Sequence, residues 1–259
     1  MSSKTLLLTA KKKRAILAFC KATREGAERL PSRYKGEVQV SVFEIRNIPH
    51  GSAKLFFDGN VDIQRYETSK YPIFAKLLDQ QQSFFWRPSE INLSKDAIDF
   101  KGFTKAQEHV FTSNLKRQIL LDSVQGRAPS LCYGTIVSDP SLEALIAWWT
   151  AIEVIHSQSY THILRNVYPN PSKVFDEMKG IREIVECGDS VSVHYDELLA
   201  RQKRLEYGHF ETKRSLYRSL LATNALEQIR FQVSFACTFA FGQQDLMSGS
   251  SKIVGLIRQ

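Results

Sequence analysis

No stretch of this 259-residue chain approaches the roughly 18 consecutive apolar residues that a membrane span requires. The run Leu6, Leu7, Leu8 is too short to be the core of a secretory signal peptide. Cysteine is scarce and unpatterned. Cys20, Cys132, Cys187 and Cys237 have no C-x-x-C spacing, which argues against a zinc knuckle or a disulfide framework and fits a reducing, cytoplasmic compartment. Internal repeats, low-complexity tracts and βαβ alternation are also absent, which excludes solenoids and doubly wound parallel sheets.

What is present is apolar substance and an uneven charge. At 43% hydrophobic, the chain can bury one large core or two modest ones. The net charge of +8 is confined to one end: residues 1–54 hold 12 of the 35 Lys/Arg against 4 of the 27 acids, and the remainder balances at 23 of each. Residues 1–54 therefore read as a basic N-terminal extension, partly disordered, with a basic helix over 11–30 and a short strand-like alternation at Val38, Val40 and Val42. A nucleic-acid-binding or scaffold protein led by this segment is one function class; a solvated appendage is the plainer one.

From Leu55 onward the pattern is helical. Residues 71–85 place Ile73, Phe74, Leu77, Leu78 and Phe84 like a buried face, and 96–103 read as a linker. Residues 104–125 form a long helix capped by Thr104, whose stripe of Phe111, Leu115 and Ile119 ends in Asp122. Residues 139–168 form another, with Asp139 or Ser138 as cap, Pro140 in the first turn and Glu143 near the start. Shorter helices are expected over 172–187 and 192–205. A third long helix over 212–241 puts Leu220, Glu227, Phe231 and Phe235 on one stripe, and a last helix begins at Ser251 after an interruption at Gly249.

The chemistry sits in the middle of the 139–168 helix. At ~100° per residue, Trp149, Glu153, His156 and Tyr160 share a stripe flanked by Ile146 and Ile163. A lone Glu-x-x-His is more often a surface pair or a satisfied core group, and a lone tyrosine is usually core. Here, however, three long helices each turn one acid inward (Asp122, Glu153, Glu227), and one adds a histidine at i+3. That is the ligand pattern of ferritin-like di-iron and di-manganese bundles.

Four stretches resemble the small, radical-generating subunit of aerobic class I ribonucleotide reductase: SFFWRP at 83–88, LLDSVQGR at 120–127, EVIHSQSYTHILRN at 153–166 and NALEQIRFQVSFACTFAF at 224–241. The resemblance implies an all-α, ferritin-like domain over 55–259 and a centre of two iron or manganese ions. It implies that Asp122, Glu153 and His156 bind one metal and that Glu227 belongs to the second. Tyr160 would carry the stable radical, Trp86 would belong to the electron-transfer route, and Phe231 and Phe235 would line the radical site. The implied activity is that of ribonucleoside-diphosphate reductase, with the large subunit and a homodimeric mate as partners. The family's second Glu-x-x-His is expected just beyond Gln259, as is its C-terminal tail, so a bundle lacking its C-terminal helices is expected. Either a complementing polypeptide carries these elements or the chain is an inactive remnant. Another di-iron carboxylate oxidase or iron-binding protein is the alternative within the fold.

Overall fold

The computed structural model describes residues 49–259 other than 60, 62 and 205–207. The expectations for the basic helix, the valine alternation and the disorder of the first 48 residues lie outside the described residues.

Among the described residues nine α-helices follow in order: α1 (Pro72–Ser83), α2 (Ser94–Lys101), α3 (Lys105–Gln125), α4 (Pro140–Val167), α5 (Pro171–Met178), α6 (Arg182–Lys203), α7 (Phe210–Ala225), α8 (Phe231–Gln243) and α9 (Ser248–Ile257). Short π-helical segments occupy Pro129–Tyr133 and Leu226–Arg230. The β pairing among the described residues is a single isolated bridge, Phe56 to Val137.

The long helices start where the sequence places their caps. Thr104 accepts from the Gln107 amide, and the Gln107 side chain accepts from the Thr104 amide in return, closing a capping box. Asp139 Oδ1 accepts from Leu142 N at 3.0 Å with Pro140 at the first helical position. Helix α4 is the axis of the bundle and packs on α1, α2, α3 and the segment Pro129–Tyr133; α3 in turn packs on α5, α6 and α8. Their inward stripes, Phe111, Leu115 and Ile119 from α3 and Ile146, Tyr160 and Ile163 from α4, join one core.

Four expectations need correction. Residues 94–101 are helix, not linker, and the reason is tertiary. Asp96 is fully buried, and its carboxylate accepts from Gly249 N at 2.9 Å and Ser250 N at 2.6 Å at the start of α9, while Asp99 accepts from Met247 N at 2.9 Å. A carboxylate at a helix N-terminus satisfies orphan amides and complements the dipole. The Asp96→Ala substitution should therefore cost about 2–4 kcal/mol, read as a lower denaturation midpoint at unchanged slope. A loss below 0.5 kcal/mol would show that α9 does not depend on this cap.

Helix α1 has no buried residue. Phe74, Leu78 and Phe84 are half-buried, but Ile73 and Leu77 face solvent. The break between the shorter helices falls at 179–181, so α6 is longer than expected.

The fourth correction concerns 212–241. The buried residues of α7 are Thr212, Ser215, Leu216, Ser219 and Thr223, followed by Leu226; those of α8 are Phe231, Ser234, Phe235, Thr238 and Phe241. The step from Leu226 to Phe231 is five residues, the period of the π-turn between them. An unbroken α-helix would have turned Arg230 inward instead. Leu220 is accordingly not on the inner stripe but 38% exposed.

Candidate metal centre

Asp122 comes from the last turn of α3, and Glu153 and His156 from the middle of α4. One ligand atom from each lies within 4.8 Å of the others. Asp122 and Glu153 are 3% and 2% exposed. Residue 126 is glycine at the tight end of α3: a Cβ there would meet Asp122 O of the same turn at 2.9 Å, and Glu153 Cβ of α4 at an ordinary 3.6 Å. Since a backbone oxygen cannot swing aside, Gly126→Ala should distort the last turn of α3, which carries Asp122, costing about 1–3 kcal/mol and weakening metal binding measured by titration. An unaltered metal affinity would show that this turn does not set the position of Asp122.

Neighbouring groups orient the trio. Trp149 Nε1 donates to Glu153 Oε1 at 2.7 Å, and His156 Nδ1 lies 3.4 Å from Glu153 Oε2. The Trp86 ring stacks on the His156 ring with centroids 5.7 Å apart. Trp149 itself lies against Tyr133, ring centroids 5.9 Å apart.

Glu227 sits on the π-turn, outside the trio. It shares a cavity of about 360 Å³ with Glu153, His156, Trp86, Trp149 and the residues 256–259. Tyr160, one turn after His156, is 1% exposed. Phe231 and Phe235, both buried, stack on one another at 5.6 Å.

The electrostatics are those of a site built for a cation. Asp122 Oδ2, Glu153 Oε2, Glu227 Oε1 and Tyr160 Oη are sealed from solvent without a hydrogen-bond partner. Burial, opposed by His156 and reinforced by Glu153, pushes the Asp122 carboxyl up to about 7. Burial and then the Glu153 and Asp122 charges push Glu227 up to about 9. Burial works against a charged His156, yet the Glu153 and Asp122 carboxylates hold its pKa above the ordinary value. The Tyr160 phenol is pushed well above its usual range, by burial first and by Asp122 next. Three desolvated carboxylates and an imidazole with unpaired oxygens in one core fit a divalent iron or manganese ion, whose charge answers the deficit.

A family description, ribonucleotide reductase small chain, matches residues 64–259. The chain belongs to the ribonucleotide reductase small-chain family. It is 46% identical over 218 residues to the ribonucleoside-diphosphate reductase subunit beta of Buchnera aphidicola from Schizaphis graminum, an alignment covering 78% of this chain and 58% of that protein. Its fold is that of the ribonucleotide reductase R2 subunit from Clostridium botulinum, with TM-score 0.74, 22% identity and coverage of 85% and 67%. The dimanganese(II)-NrdF of Streptococcus sanguinis is a further neighbour, with TM-score 0.63, 17% identity and coverage of 75% and 64%. The all-helical bundle of this small-chain protein is thus ferritin-like. The chain spans about 58% of the length of the curated relatives it matches.

The sequence stripes anticipated the trio. They did not anticipate the Trp149–Glu153 hydrogen bond or the need for Gly126; the only signal for the latter was a glycine directly after a helix that ends in a buried acid. Among the described residues no helix is long and apolar enough to cross a membrane.

Proposed function

We propose that residues 55–259 act as the small, radical-generating component of a ribonucleoside-diphosphate reductase, with Asp122, Glu153 and His156 holding one metal ion and Glu227 belonging to a second. The reading is carried by one observation: two carboxylates and an imidazole converge, with unpaired oxygens, in the core beside the phenol of Tyr160. Iron or manganese bound there with dioxygen would supply the oxidising power to take one electron from a phenol. Tyr160 gives up that electron, and its Oη proton passes to Asp122, the carboxylate that most affects it after burial.

Phe231 and Phe235 line the radical site, and their apolar rings keep water and reductants from it. Trp86, stacked on His156, begins the route by which the oxidising equivalent leaves for a large subunit that reduces ribonucleotides. The chain works as a homodimer in the cytoplasm. The cavity beside Glu227 receives a further segment bearing Glu-x-x-His, which supplies the ligands that Glu227 lacks among the described residues.

Two measurements test this. Elemental analysis of the chain alone should find about one tightly held iron, since one complete-looking trio is present. Two tightly held ions without an added segment would show that the ligand set is misread. Electron paramagnetic resonance after ferrous iron and oxygen should give a tyrosyl signal once the completing segment is present, and its absence then would overturn the proposed activity.

A further inference from the structure

Away from the metal centre, α3, α6 and the π-turn bring two guanidinium groups to one thiol. Arg117 Nη2 and Arg230 Nη1 each lie 3.9 Å from Cys187 Sγ. Arg230 Nη1 also donates to Ser190 Oγ at 2.7 Å and to the Cys187 carbonyl at 3.2 Å. Arg117 Nη1 donates to the Arg230 carbonyl at 3.0 Å and to Ser234 Oγ. Other arginines of this chain meet carboxylates, as Arg182 meets Glu186 and Arg214 meets Glu211. Among the described residues, neither Arg117 nor Arg230 has an acid within ion-pair distance, although both are half-buried. Two half-buried cations whose hydrogen bonds go only to neutral groups favour an anion placed between them.

We propose that Cys187 is a peroxide-oxidisable thiol whose sulfenate product is the anion that Arg117 and Arg230 hold. The step balances without another reagent. Sulfur attacks one peroxide oxygen, an S–O bond forms and the O–O bond breaks. Sulfur is oxidised by two electrons and peroxide is reduced, the thiol proton leaves on the departing oxygen as water, and the proton on the newly bound oxygen is lost to solvent to leave the sulfenate. The negative charge of the attacking thiolate, and then that of the sulfenate oxygen, meets guanidinium donors already in position. Cys187 is half-buried, so a small oxidant reaches it, while Cys132 is sealed in the core. Cys237 shares the intermediate exposure of Cys187 but has no guanidinium on its sulfur among the described residues, which makes it an internal reference.

The full chain is treated with hydrogen peroxide and a dimedone-type sulfenic-acid probe, and adducts at each cysteine are quantified by peptide mass spectrometry. Cys187 should label about tenfold faster than Cys237, the factor that one charge-assisted hydrogen bond in the transition state supplies. Arg117→Gln should bring the Cys187 rate down to that of Cys237 and leave Cys237 unchanged. Equal labelling of Cys187 and Cys237 in the unsubstituted chain would overturn the proposal, and that comparison needs no variant to fold. A Cys187 rate unaltered in folded Arg117→Gln would overturn it equally.

Discussion

Replacing Tyr160 with phenylalanine should leave the fold and metal uptake of this chain intact and abolish its radical signal. The ring is 1% exposed and packed in the core, so phenylalanine keeps the apolar contacts. The buried hydroxyl it removes interacts with the Asp122 carboxyl, so its loss shifts stability by about 1 kcal/mol at most. A phenyl ring has no ionisable proton and is far harder to oxidise, so the effect on the radical is total rather than graded. The experiment compares unsubstituted and Tyr160→Phe protein, each with a complete metal site, by electron paramagnetic resonance after iron and oxygen, with thermal melts as the control for folding. A tyrosyl signal of undiminished intensity in the variant would move the radical to another residue. A large drop in melting temperature would mean that the interaction of the hydroxyl with Asp122 is needed for folding.

The second large effect is on metal-linked stability, and it has opposite signs with and without metal. Folding raises the pKa of Asp122 to about 7 and that of Glu227 to about 9. A raised carboxyl pKa means that the folded chain holds the proton more tightly than the unfolded chain. The associated stability is full below the ordinary carboxylate range and is lost as pH climbs through about 7 for Asp122 and about 9 for Glu227. Metal-free protein should thus melt lower at pH 8 than at pH 5. Asp122→Asn removes that charge at nearly constant shape. At pH 8 the metal-free variant should melt higher than the parent by roughly 5 °C, reflecting a burial cost on the order of a few kcal/mol. A divalent ion at about 100 times its dissociation constant should add close to 3 kcal/mol to the parent and almost nothing to the variant, whose trio is broken. Calorimetry with and without manganese, which avoids air oxidation, reads both effects. A variant still stabilised by metal as much as the parent would remove Asp122 from the ligand set.

Legibility in the sequence followed the range of the interaction. The caps at Thr104 and Asp139 and the α4 stripe from Trp149 to Tyr160 depend on residues within a few turns, and spacing alone placed them. The role of Asp96 could not be read this way, because its partners Gly249 and Ser250 lie more than 150 residues away. On local pattern its surroundings look like linker. The apolar spacing of α1 suggested burial, but Ile73 and Leu77 remain exposed in the described structure. The trio was legible because two acids and a histidine interrupt apolar stripes, whereas the orienting bond from Trp149 to Glu153 required knowing which rotamers the core permits. Leu220, Glu227, Phe231 and Phe235 fit an unbroken helical period so well that nothing in their spacing betrayed the inserted turn.

That inserted turn separates the helix into two lengths that are out of phase by one position. Thr212 to Leu226 obey one count, and Phe231 to Phe241 obey another. The phase between them is therefore set by a number of residues rather than by a particular side chain. A substitution within 226–230 leaves that phase in place, but the removal of a single residue re-indexes everything after it, exchanging the phenylalanine pair for the positions beside it. The reach of that segment is set by chain length, and its tolerance to insertion and deletion is as narrow as that of a reading frame.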